Sequence, residues 1–258
     1  MRYAMCLWTA LAAATAQDLT FHASFDKGLD ADVAAGDKRL YTAANYKAQL
    51  EATPGLDHPD AGIVPGGKHG SALQFRKKNV KAIFYRADKN ASPRDGTLSF
   101  WLNLDPDQDL EPGFCDPIQV TDKAYNDSAI WVDFTKDEKP RHFRLGVFGE
   151  LKAWNPQNLP ADKFPDFEKR LIRVTKTPFA RGKWTHVAIT YTGLGSPQGG
   201  AAKLYLDGKL QGTTAPIREP FSWDPARAAL RLGVSYVGLF DELKVFRRAL
   251  TEREIRNL

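Results

Sequence analysis

Short segments in which apolar and polar residues alternate recur along this chain of 258 residues. Apolar residues occupy every second position at residues 98–104, 130–134 and 187–191. A period of two is typical of a β-strand that buries one face, and clusters of turn-forming residues separate these segments. Long helical patterns are lacking. The sequence therefore predicts an all-β fold in which two antiparallel sheets pack as a sandwich.

The strand pattern continues across the chain without a clear domain boundary. Asp207-Gly208 lies between two strand-like runs and is a strong signal for a tight β-hairpin. The glycine-rich stretch at residues 193–200 is interpreted as a loop, because strands are predicted on both sides of it. No internal repeat or low-complexity linker divides the chain. We therefore predict a single domain over residues 17–258.

Residues 1–16 have the three-part layout of a secretory signal peptide. A short basic start at Arg2 precedes an uncharged apolar run, and Ala14-Thr15-Ala16 forms a small-x-small cleavage site before Gln17. The apolar run is too short to span a bilayer, and no other membrane span is predicted. We expect a mature chain that begins at or near Gln17 and is secreted, into the periplasm or the extracellular space.

The chain has 36 Lys and Arg residues against 31 Asp and Glu residues, which gives a formal net charge of +5. Basic residues concentrate at 76–78 and 163–183, which favours an anionic partner, although the interspersed acids also fit a solvated face. Nucleic acid is not expected, because no nucleic-acid-binding motif accompanies the export signal. Cys115 would be the one cysteine left after cleavage; its GFCDP context suggests a loop, and no disulfide within the chain is expected.

The closing segment, residues 238–258, is interpreted as a strand followed by a short helix. Thr251 and Glu254 have the spacing of a capping box at the start of that helix. Asp241 falls on an apolar strand face, where an acid is costly unless it is paired, so we expect it to be buried and satisfied by a cation or by hydrogen bonds. Strict alternation puts Leu239, Asp241, Leu243 and Val245 on one face and Phe240, Glu242, Lys244 and Phe246 on the other.

This ending resembles that of laminin-G-like domains of the concanavalin A-like (lectin/glucanase) family, which often close with Asp-Glu, an alternating strand and a short helix. The resemblance implies a jelly-roll sandwich in which the first and last strands share a sheet. The stretch at residues 149–182 has no counterpart in the family's minimal pattern. The other matching segments, in the family's order, are LTFHASFD (19–26), GKHGSALQF (67–75), GTLSFWLNLD (96–105), and KWTHVAITYTG (183–193) with KLYLDGKLQGT (203–213).

Related jelly-roll domains often hold one calcium ion, so the resemblance suggests a structural calcium site. If the first and last strands are neighbours, Asp26 and Asp241 could approach the same ion. Calcium needs six to eight oxygen ligands, which loop carbonyls near Asp30 or Asp32 would have to complete. In the alternative interpretation, Asp241 accepts hydrogen bonds and Asp26 caps a turn.

Known catalytic patterns of this fold are missing from the sequence. Laminarinase-type enzymes place acids on one strand in a Glu-x-Asp-x-x-Glu pattern, and alginate lyases of this fold use an Arg-rich strand with Gln-x-His; neither occurs here. The nucleophile elbow of serine hydrolases and phosphate-binding loops are also missing. We therefore assign no catalytic residue, and enzymatic activity is not the favoured interpretation.

The predicted ligand-binding surface combines aromatic and basic residues. Sugars stack on aromatic rings, and Arg or Lys side chains hold carboxylate or sulfate groups. The favoured function is thus non-catalytic binding of a polysaccharide or glycoconjugate, with an anionic one compatible with the basic residues. Aromatic residues in sandwiches also pack against sheets, so a structural role is the alternative. The predicted site residues are Trp131 and Arg144, on strand faces opposite apolar residues, with Trp154, Lys169, Arg170 and Arg173 overhanging them.

Two other functions remain open. A polysaccharide-cleaving enzyme could use residues 149–182 as a wall of its active site, and an adhesion module could bind another protein. A pair of carboxylate, Tyr or His side chains in a deep cleft would favour the enzyme. A shallow face with exposed Trp and Arg would favour glycan binding, and a flat apolar patch would favour a protein partner.

Overall fold

The computed structural model describes residues 17–164 and 166–258, so the predicted signal peptide lies outside the described residues. The described chain is mostly β-strand, and its strands form two antiparallel sheets, which confirms the predicted sandwich. The strands are β1 (Leu19–Ala23), β2 (Val33–Ala34), β3 (Leu40–Ala43), β4 (Thr53–Pro54), β5 (Ala61–Pro65), β6 (Ser71–Phe75), β7 (Ala82–Arg86), β8 (Gly96–Asn103), β9 (Cys115–Thr121), β10 (Ala129–Phe134), β11 (Phe143–Phe148), β12 (Leu171–Val174), β13 (Thr185–Thr192), β14 (Ala201–Leu206), β15 (Lys209–Thr213), β16 (Ala229–Val234) and β17 (Gly238–Phe246).

The helices are single turns or short 3-10 segments. The predicted capping box is present: the Thr251 hydroxyl accepts a hydrogen bond from the Glu254 N–H, and the Glu254 carboxylate accepts one from the Thr251 N–H. No helix within the described ranges has the length and apolar character needed to cross a membrane. The α-helices are α1 (Pro106–Asp109), α2 (Leu151–Trp154) and α3 (Glu252–Ile255), and the 3-10 helices are Tyr46–Glu51, Asp88–Asn90, Ala161–Lys163 and Glu168–Arg170.

The first sheet, sheet I, runs in the order β15-β14-β13-β8-β17-β1-β2, with β6 paired to β17 and β5 paired to β6. The first strand, β1, pairs antiparallel with the last, β17, as the family resemblance implies. The turn between β14 and β15 places Asp207 and Gly208 at φ angles of 47° and 72°. Two positive φ angles characterise the tight hairpin turn that the Asp-Gly dipeptide predicts.

The second sheet, sheet II, runs in the order β12-β11-β10-β9-β16-β7-β3-β4. The main core lies between the two sheets, where the alternate apolar residues of facing strands meet. Cys115 does not lie in a loop as expected; it begins β9 and is buried in that core. The residues between these core positions in sheet II point to its outer face.

The predicted alternation of the last strand holds for Leu243 and Val245, which lie in the core, but fails for Leu239 and Phe240, because a β-bulge interrupts it at Asp241 and Glu242. Glu242 has a φ of 53°, and the pairing of β17 with β8 shifts register just after Asp241. Phe240 and Leu243 therefore both point into the core, although they are an odd number of residues apart. Leu239, expected in the core, is only partly buried. Asp241 consequently lies on the outer face of sheet I.

Residues 149–164 and 166–174, here called the covering segment, lie over the outer face of sheet II. They contribute α2, two 3-10 helices and the edge strand β12. Apolar side chains of this segment, among them Trp154 and Phe167, pack on the outward-facing Trp131 and Phe148 of the sheet. The stretch without a counterpart in the family's minimal pattern thus builds a second, smaller aromatic core outside the sandwich.

Candidate functional site

A cleft of about 960 Å³ opens on the outer face of sheet II. Its floor consists of the outward-facing residues of neighbouring strands: Asp116 of β9, Trp131 and Asp133 of β10, and Arg144 of β11. The covering segment forms one wall, mainly through its 3-10 helices. A concave site of this volume with a few convergent polar groups has the size of a typical small-ligand pocket.

Trp131 faces the cleft as predicted, but its ring offers almost no surface to a ligand. Only 2% of Trp131 is exposed, and its ring stacks on Phe148 with centroids 5.8 Å apart. The indole Nε1 donates a hydrogen bond of 2.7 Å to the Tyr125 carbonyl. Gly146, the cross-strand neighbour, lies so close that an added Cβ would sit 2.2 Å from the ring. Trp131 therefore forms the floor of the cleft and not an exposed stacking surface.

Trp154 is also a packing residue. It is 5% exposed, and its ring lies 5.2 Å from Phe148 and 5.1 Å from Phe164. Its Nε1 donates a hydrogen bond of 2.9 Å to the Asn126 carbonyl. These contacts attach the covering segment to sheet II, so Trp154 shapes the wall of the cleft without contributing to its surface.

Arg144 faces the cleft but is bound to a carboxylate of the protein. Its guanidinium donates two hydrogen bonds to Asp133, of 2.8 and 2.5 Å, and both side chains are at most 6% exposed. The guanidinium also lies 4.7 Å from the Phe114 ring centroid and 5.6 Å from that of Trp131. A guanidinium so engaged has little capacity left for a carboxylate or sulfate of a ligand.

The basic residues predicted to overhang the cleft are likewise paired with acids, and none of them lines it. Lys169 is exposed over 76% of its side chain and points into solvent, while the two arginines are partly buried. The covering segment therefore does not supply the cationic rim that the sequence suggested. The pairs are Arg170 with Glu219 at 2.6 Å, Arg173 with Glu168 at 2.7 Å, and Lys169 with Asp166 at 2.7 Å.

Asp116 is the residue of the cleft floor whose charge is least compensated. Its Oδ2 accepts one hydrogen bond, of 3.2 Å, from Gln119 Nε2, and no ion pair of the described residues includes it. Burial raises the pKa of Asp116 well above its ordinary value, and the charge of Asp133 raises it further. Burial also raises the pKa of Asp133, but the two hydrogen bonds from Arg144 oppose that rise. The two carboxyls of the floor therefore differ in what compensates their charge, a buried guanidinium for Asp133 and a single amide for Asp116.

Phe114 and Tyr125 are the exposed aromatic residues of the cleft, and the sequence analysis missed both. Each is 44% exposed and lies in a segment between strands, at the rim of the cleft. An aromatic residue in a turn, next to a strand with outward-facing polar residues, is the sequence signal that could have identified them. They offer the surface for stacking that Trp131 does not.

Asp241, one of the two acids predicted to hold calcium, is fully buried, which confirms its predicted burial. Its Oδ2 accepts hydrogen bonds from the backbone N–H groups of Lys68 (2.7 Å) and His69 (3.3 Å), and its Oδ1 accepts one from Glu242 (2.7 Å). Burial raises its pKa to about 6, and the three hydrogen bonds counteract part of that rise. Backbone hydrogen bonds thus satisfy this carboxylate, as expected from the interpretation in which Asp241 accepts hydrogen bonds.

Asp26 is exposed and accepts a hydrogen bond of 2.8 Å from the Ser71 N–H. It therefore holds the same loop, residues 67–71, that covers Asp241. Among residues 17–164 and 166–258, no group of three or more His, Cys, Asp or Glu side chains is arranged to hold a metal ion. A calcium ion at Asp26 and Asp241 stays a prediction that measurement has to decide.

Comparison with known proteins agrees with this architecture. The chain is similar in structure to domain 4 of AbnA, a GH43 extracellular arabinanase from Geobacillus stearothermophilus solved with arabinotriose (TM-score 0.55, 18% identity, 93% of this chain and 97% of that one). It is also similar to the ligand-binding domain of botulinum neurotoxin serotype D solved with N-acetylneuraminic acid (TM-score 0.59, 11% identity, 96% of this chain and 52% of that one). A third similar structure is Trypanosoma rangeli sialidase (TM-score 0.53, 14% identity, 93% of this chain and 32% of that one).

At these identities the similarity shows the fold alone, and the chain spans about half or less of the toxin domain and the sialidase. No curated protein matches the sequence. The family model Laminin_G_3, described as the concanavalin A-like lectin/glucanases superfamily, matches residues 82–256, which is more than half of the chain. Together with the two-sheet architecture, this match shows that the chain belongs to the concanavalin A-like lectin/glucanase superfamily.

Proposed function

We propose that this protein binds a saccharide in the cleft of sheet II, with Phe114 and Tyr125 as its stacking surfaces. The observation that carries the proposal is the presence of two aromatic side chains, each 44% exposed, at the rim of a cleft whose floor bears carboxylates and an amide. A sugar ring offers C–H groups to aromatic faces and hydroxyl groups to hydrogen-bond acceptors.

Two of the similar structures support this proposal, because they were solved with a bound sugar: arabinotriose in one and N-acetylneuraminic acid in the other. The fold is therefore compatible with saccharide ligands. At sequence identities of 18% and 11%, neither the bound sugar nor its binding site can be assigned to this chain by similarity, so the proposal rests on the residues of the cleft.

Alanine substitution of the exposed aromatics tests the proposal. Phe114→Ala and Tyr125→Ala should each weaken binding on a glycan array by about 3- to 10-fold, since an aromatic contact contributes roughly 0.5–1.5 kcal/mol beyond its buried area. Leu210→Ala is the matched control, because Leu210 is also 44% exposed but lies on β15 of sheet I. Unchanged affinity in both cleft variants would reject this cleft as the binding site.

A specific observation favours a second function, hydrolysis of a glycosidic bond. Asp116 and Asp133 are two carboxyls on one cleft floor with unlike surroundings, because Asp133 is paired with Arg144 whereas Asp116 has no ion-pair partner among the described residues. Glycosidases need one protonated and one ionised carboxyl. Asp116 would donate its proton to the leaving glycosidic oxygen, while Asp133 would accept a proton from the water that attacks the anomeric carbon. The ion pair of Asp133 with Arg144 makes that carboxylate a weaker base, which is why binding is the primary proposal.

Release of reducing ends from glycans that bind the protein distinguishes the two functions. If a neutral glycan is hydrolysed, Asp116→Asn should abolish its hydrolysis and keep its binding, because the amide retains the shape of the side chain but cannot donate an acidic proton. A wild-type protein that binds a glycan and releases no reducing ends would reject the second function and leave the first in place.

We also propose that the protein is exported, since polysaccharides occur mainly outside the cytoplasm. The supporting observation is the cleavage pattern Ala14-Thr15-Ala16 after an uncharged apolar run. Sequencing the N-terminus of the protein recovered from the culture medium or the periplasm should yield Gln17. A full-length chain that starts at Met1 and stays in the cytoplasm would reject export.

A further inference from the structure

The charges that line the cleft do not suit an anionic ligand. Arg144 is paired with Asp133. Lys136 Nζ lies 3.3 Å from the carboxylate of Asp137, a residue that does not line the cleft, so both lining cations already have an acidic partner. The acid Glu168 is in turn paired with Arg173. The acidic residues that line the cleft are Asp116, Asp133, Asp162 and Glu168, and the basic residues that line it are Lys136 and Arg144.

Asp116 and Asp162 are the lining acids that remain after this pairing. None of the ion pairs formed by the described part of the chain includes either residue. Asp162 lies at the exposed edge of the covering segment, whereas Asp116 lies on the floor of the cleft. Asp116 is therefore the acid without an ion-pair partner that a ligand on the floor of the cleft would meet.

The orientation of Asp116 is fixed by its neighbours on the sheet. Arg231 Nη1 donates a hydrogen bond of 2.7 Å to Gln119 Oε1, which turns the amide of Gln119 so that its Nε2 donates to Asp116 Oδ2. The other oxygen, Oδ1, has no hydrogen-bond partner among the described residues. One oxygen of a carboxylate on the cleft floor is thus left for a ligand.

Exposed aromatic rings line the same cleft as this carboxylate. Cations already lie near one of them: the Arg144 guanidinium carbon is 4.7 Å and the Lys136 Nζ is 5.8 Å from the Phe114 ring centroid. The Tyr125 ring is 44% exposed at the same rim. A cleft lined by a carboxylate and by exposed aromatic rings provides both kinds of contact that stabilise an ammonium group, a charge-assisted hydrogen bond and a cation–π interaction.

We propose that the cleft prefers saccharides that carry a protonated amine, that is amino sugars, over neutral saccharides and over those that carry carboxylate or sulfate groups, with Asp116 as the anionic contact. This inference rests on the proposed saccharide binding and names its ligand class. It differs from the anionic glycan that the sequence suggested. Burial makes the charged form of Asp116 unfavourable in the empty cleft; an ammonium ligand would relieve that cost and an anionic ligand would increase it.

Three β-1,4-linked oligosaccharides of equal length test the preference: an oligomer of glucosamine, an oligomer of glucose and an oligomer of glucuronate. Isothermal titration calorimetry at low salt should give an affinity roughly 10-fold higher for the amine than for the neutral oligomer, since a hydrogen bond between charged groups contributes at least that factor. The glucuronate oligomer should bind more weakly than either. Added salt should weaken the amine complex and leave the neutral one unchanged.

Asp116→Asn should remove the preference, because the amine and the neutral oligomer then bind about equally. Asp30→Asn is the matched control: Asp30 is an exposed acid outside the cleft, and its substitution should leave the affinity ratio unchanged. A melting curve of each variant shows that it is folded. If the neutral or glucuronate oligomer binds as well as the amine, the inference is wrong and saccharide binding stands. If none of the three binds, both proposals fail.

Discussion

Two acids, the buried Asp241 on sheet I and the partly buried Asp116 on sheet II, are treated in different ways by this fold. Both lie on outward-facing strand positions, and burial raises the pKa of both. Asp241 accepts three backbone hydrogen bonds and is closed off by the loop at residues 67–71. Asp116 accepts one hydrogen bond from an amide side chain and opens onto a cleft.

The difference separates a structural acid from one that is available to a ligand. Backbone N–H groups are fixed donors that stabilise a buried carboxylate in the folded protein. Because two of the donors to Asp241 belong to residues 67–71, this acid links the last strand to a loop that is distant in the sequence. A carboxylate left with one neutral donor is costly in the free protein, and such a cost is typical of functional sites. Asp133 is a third case, in which a buried guanidinium supplies the compensation.

The largest expected effect concerns the buried ion pair of Asp133 with Arg144. Arg144→Met should reduce the free energy of unfolding by about 3–5 kcal/mol, because it leaves Asp133 buried without its cation. Urea denaturation measures the loss. Arg173→Met is the control, since Arg173 is 29% exposed and its ion pairs should contribute only about 0–1 kcal/mol. Equal losses in the two variants would mean that Arg144 is accessible and available to a ligand after all.

Asp241→Ala should reduce the free energy of unfolding by about 1–3 kcal/mol, because three backbone N–H groups lose their acceptor. The control is Asp26→Ala, which removes one hydrogen bond at an exposed residue and should cost less. A chelator decides whether calcium contributes. A lower melting temperature of the wild type in chelator, with no change in the Asp241 variant, would establish an ion at this acid.

Glu242, next to Asp241, should make stability depend on pH. Burial opposes its ionisation, but hydrogen bonds from His22 and Lys244 outweigh burial and lower its pKa to about 2. Because the pKa is lower in the folded than in the unfolded protein, the stabilisation is complete above the unfolded value of 4.5 and is lost as the pH falls towards 2. We expect these interactions of Glu242 to contribute about 1–2 kcal/mol to the free energy of unfolding, a value reduced by the partial exposure of His22 and Lys244.

Glu242→Gln should therefore flatten the decline in stability between pH 4.5 and 2. Chemical denaturation at a series of pH values measures the slope. Asp30→Asn is the control, since Asp30 is 51% exposed and its nearest ammonium is 4.0 Å away. A slope that is the same in the wild type and in the Gln variant would show that the ion pair is not formed in solution.

The smallest expected effect has the opposite sign and tests the comparison most directly. Asp116→Asn should leave the free energy of unfolding unchanged or raise it by up to about 1 kcal/mol, since the substitution removes a poorly compensated charge and keeps the side-chain shape. Asp241→Asn should be destabilising, because an amide NH₂ would face N–H donors. A loss above about 1 kcal/mol for Asp116→Asn would place Asp116 with the structural acids.

Local sequence patterns determined much of the fold. A period of two depends only on neighbouring residues, so strands such as β8, β10 and β13 were predicted, as were the hairpin at Asp207-Gly208 and the capping box at Thr251. The same period placed Trp131 and Arg144 on the outer face of their sheet. The resemblance of the closing segment to a known family added the pairing of the first and last strands.

The tertiary structure alone decided exposure and charge, because both depend on residues that are distant in the sequence. The covering segment buries Trp131, and Asp133 neutralises Arg144 from the neighbouring strand. The bulge at Asp241 is stabilised by a loop more than 170 positions away, so strict alternation could not predict it. The sequence thus determined which side chains leave the core, and the packing of distant segments determined that Asp116, unlike Asp133 on the same cleft floor, has no ion-pair partner among the described residues.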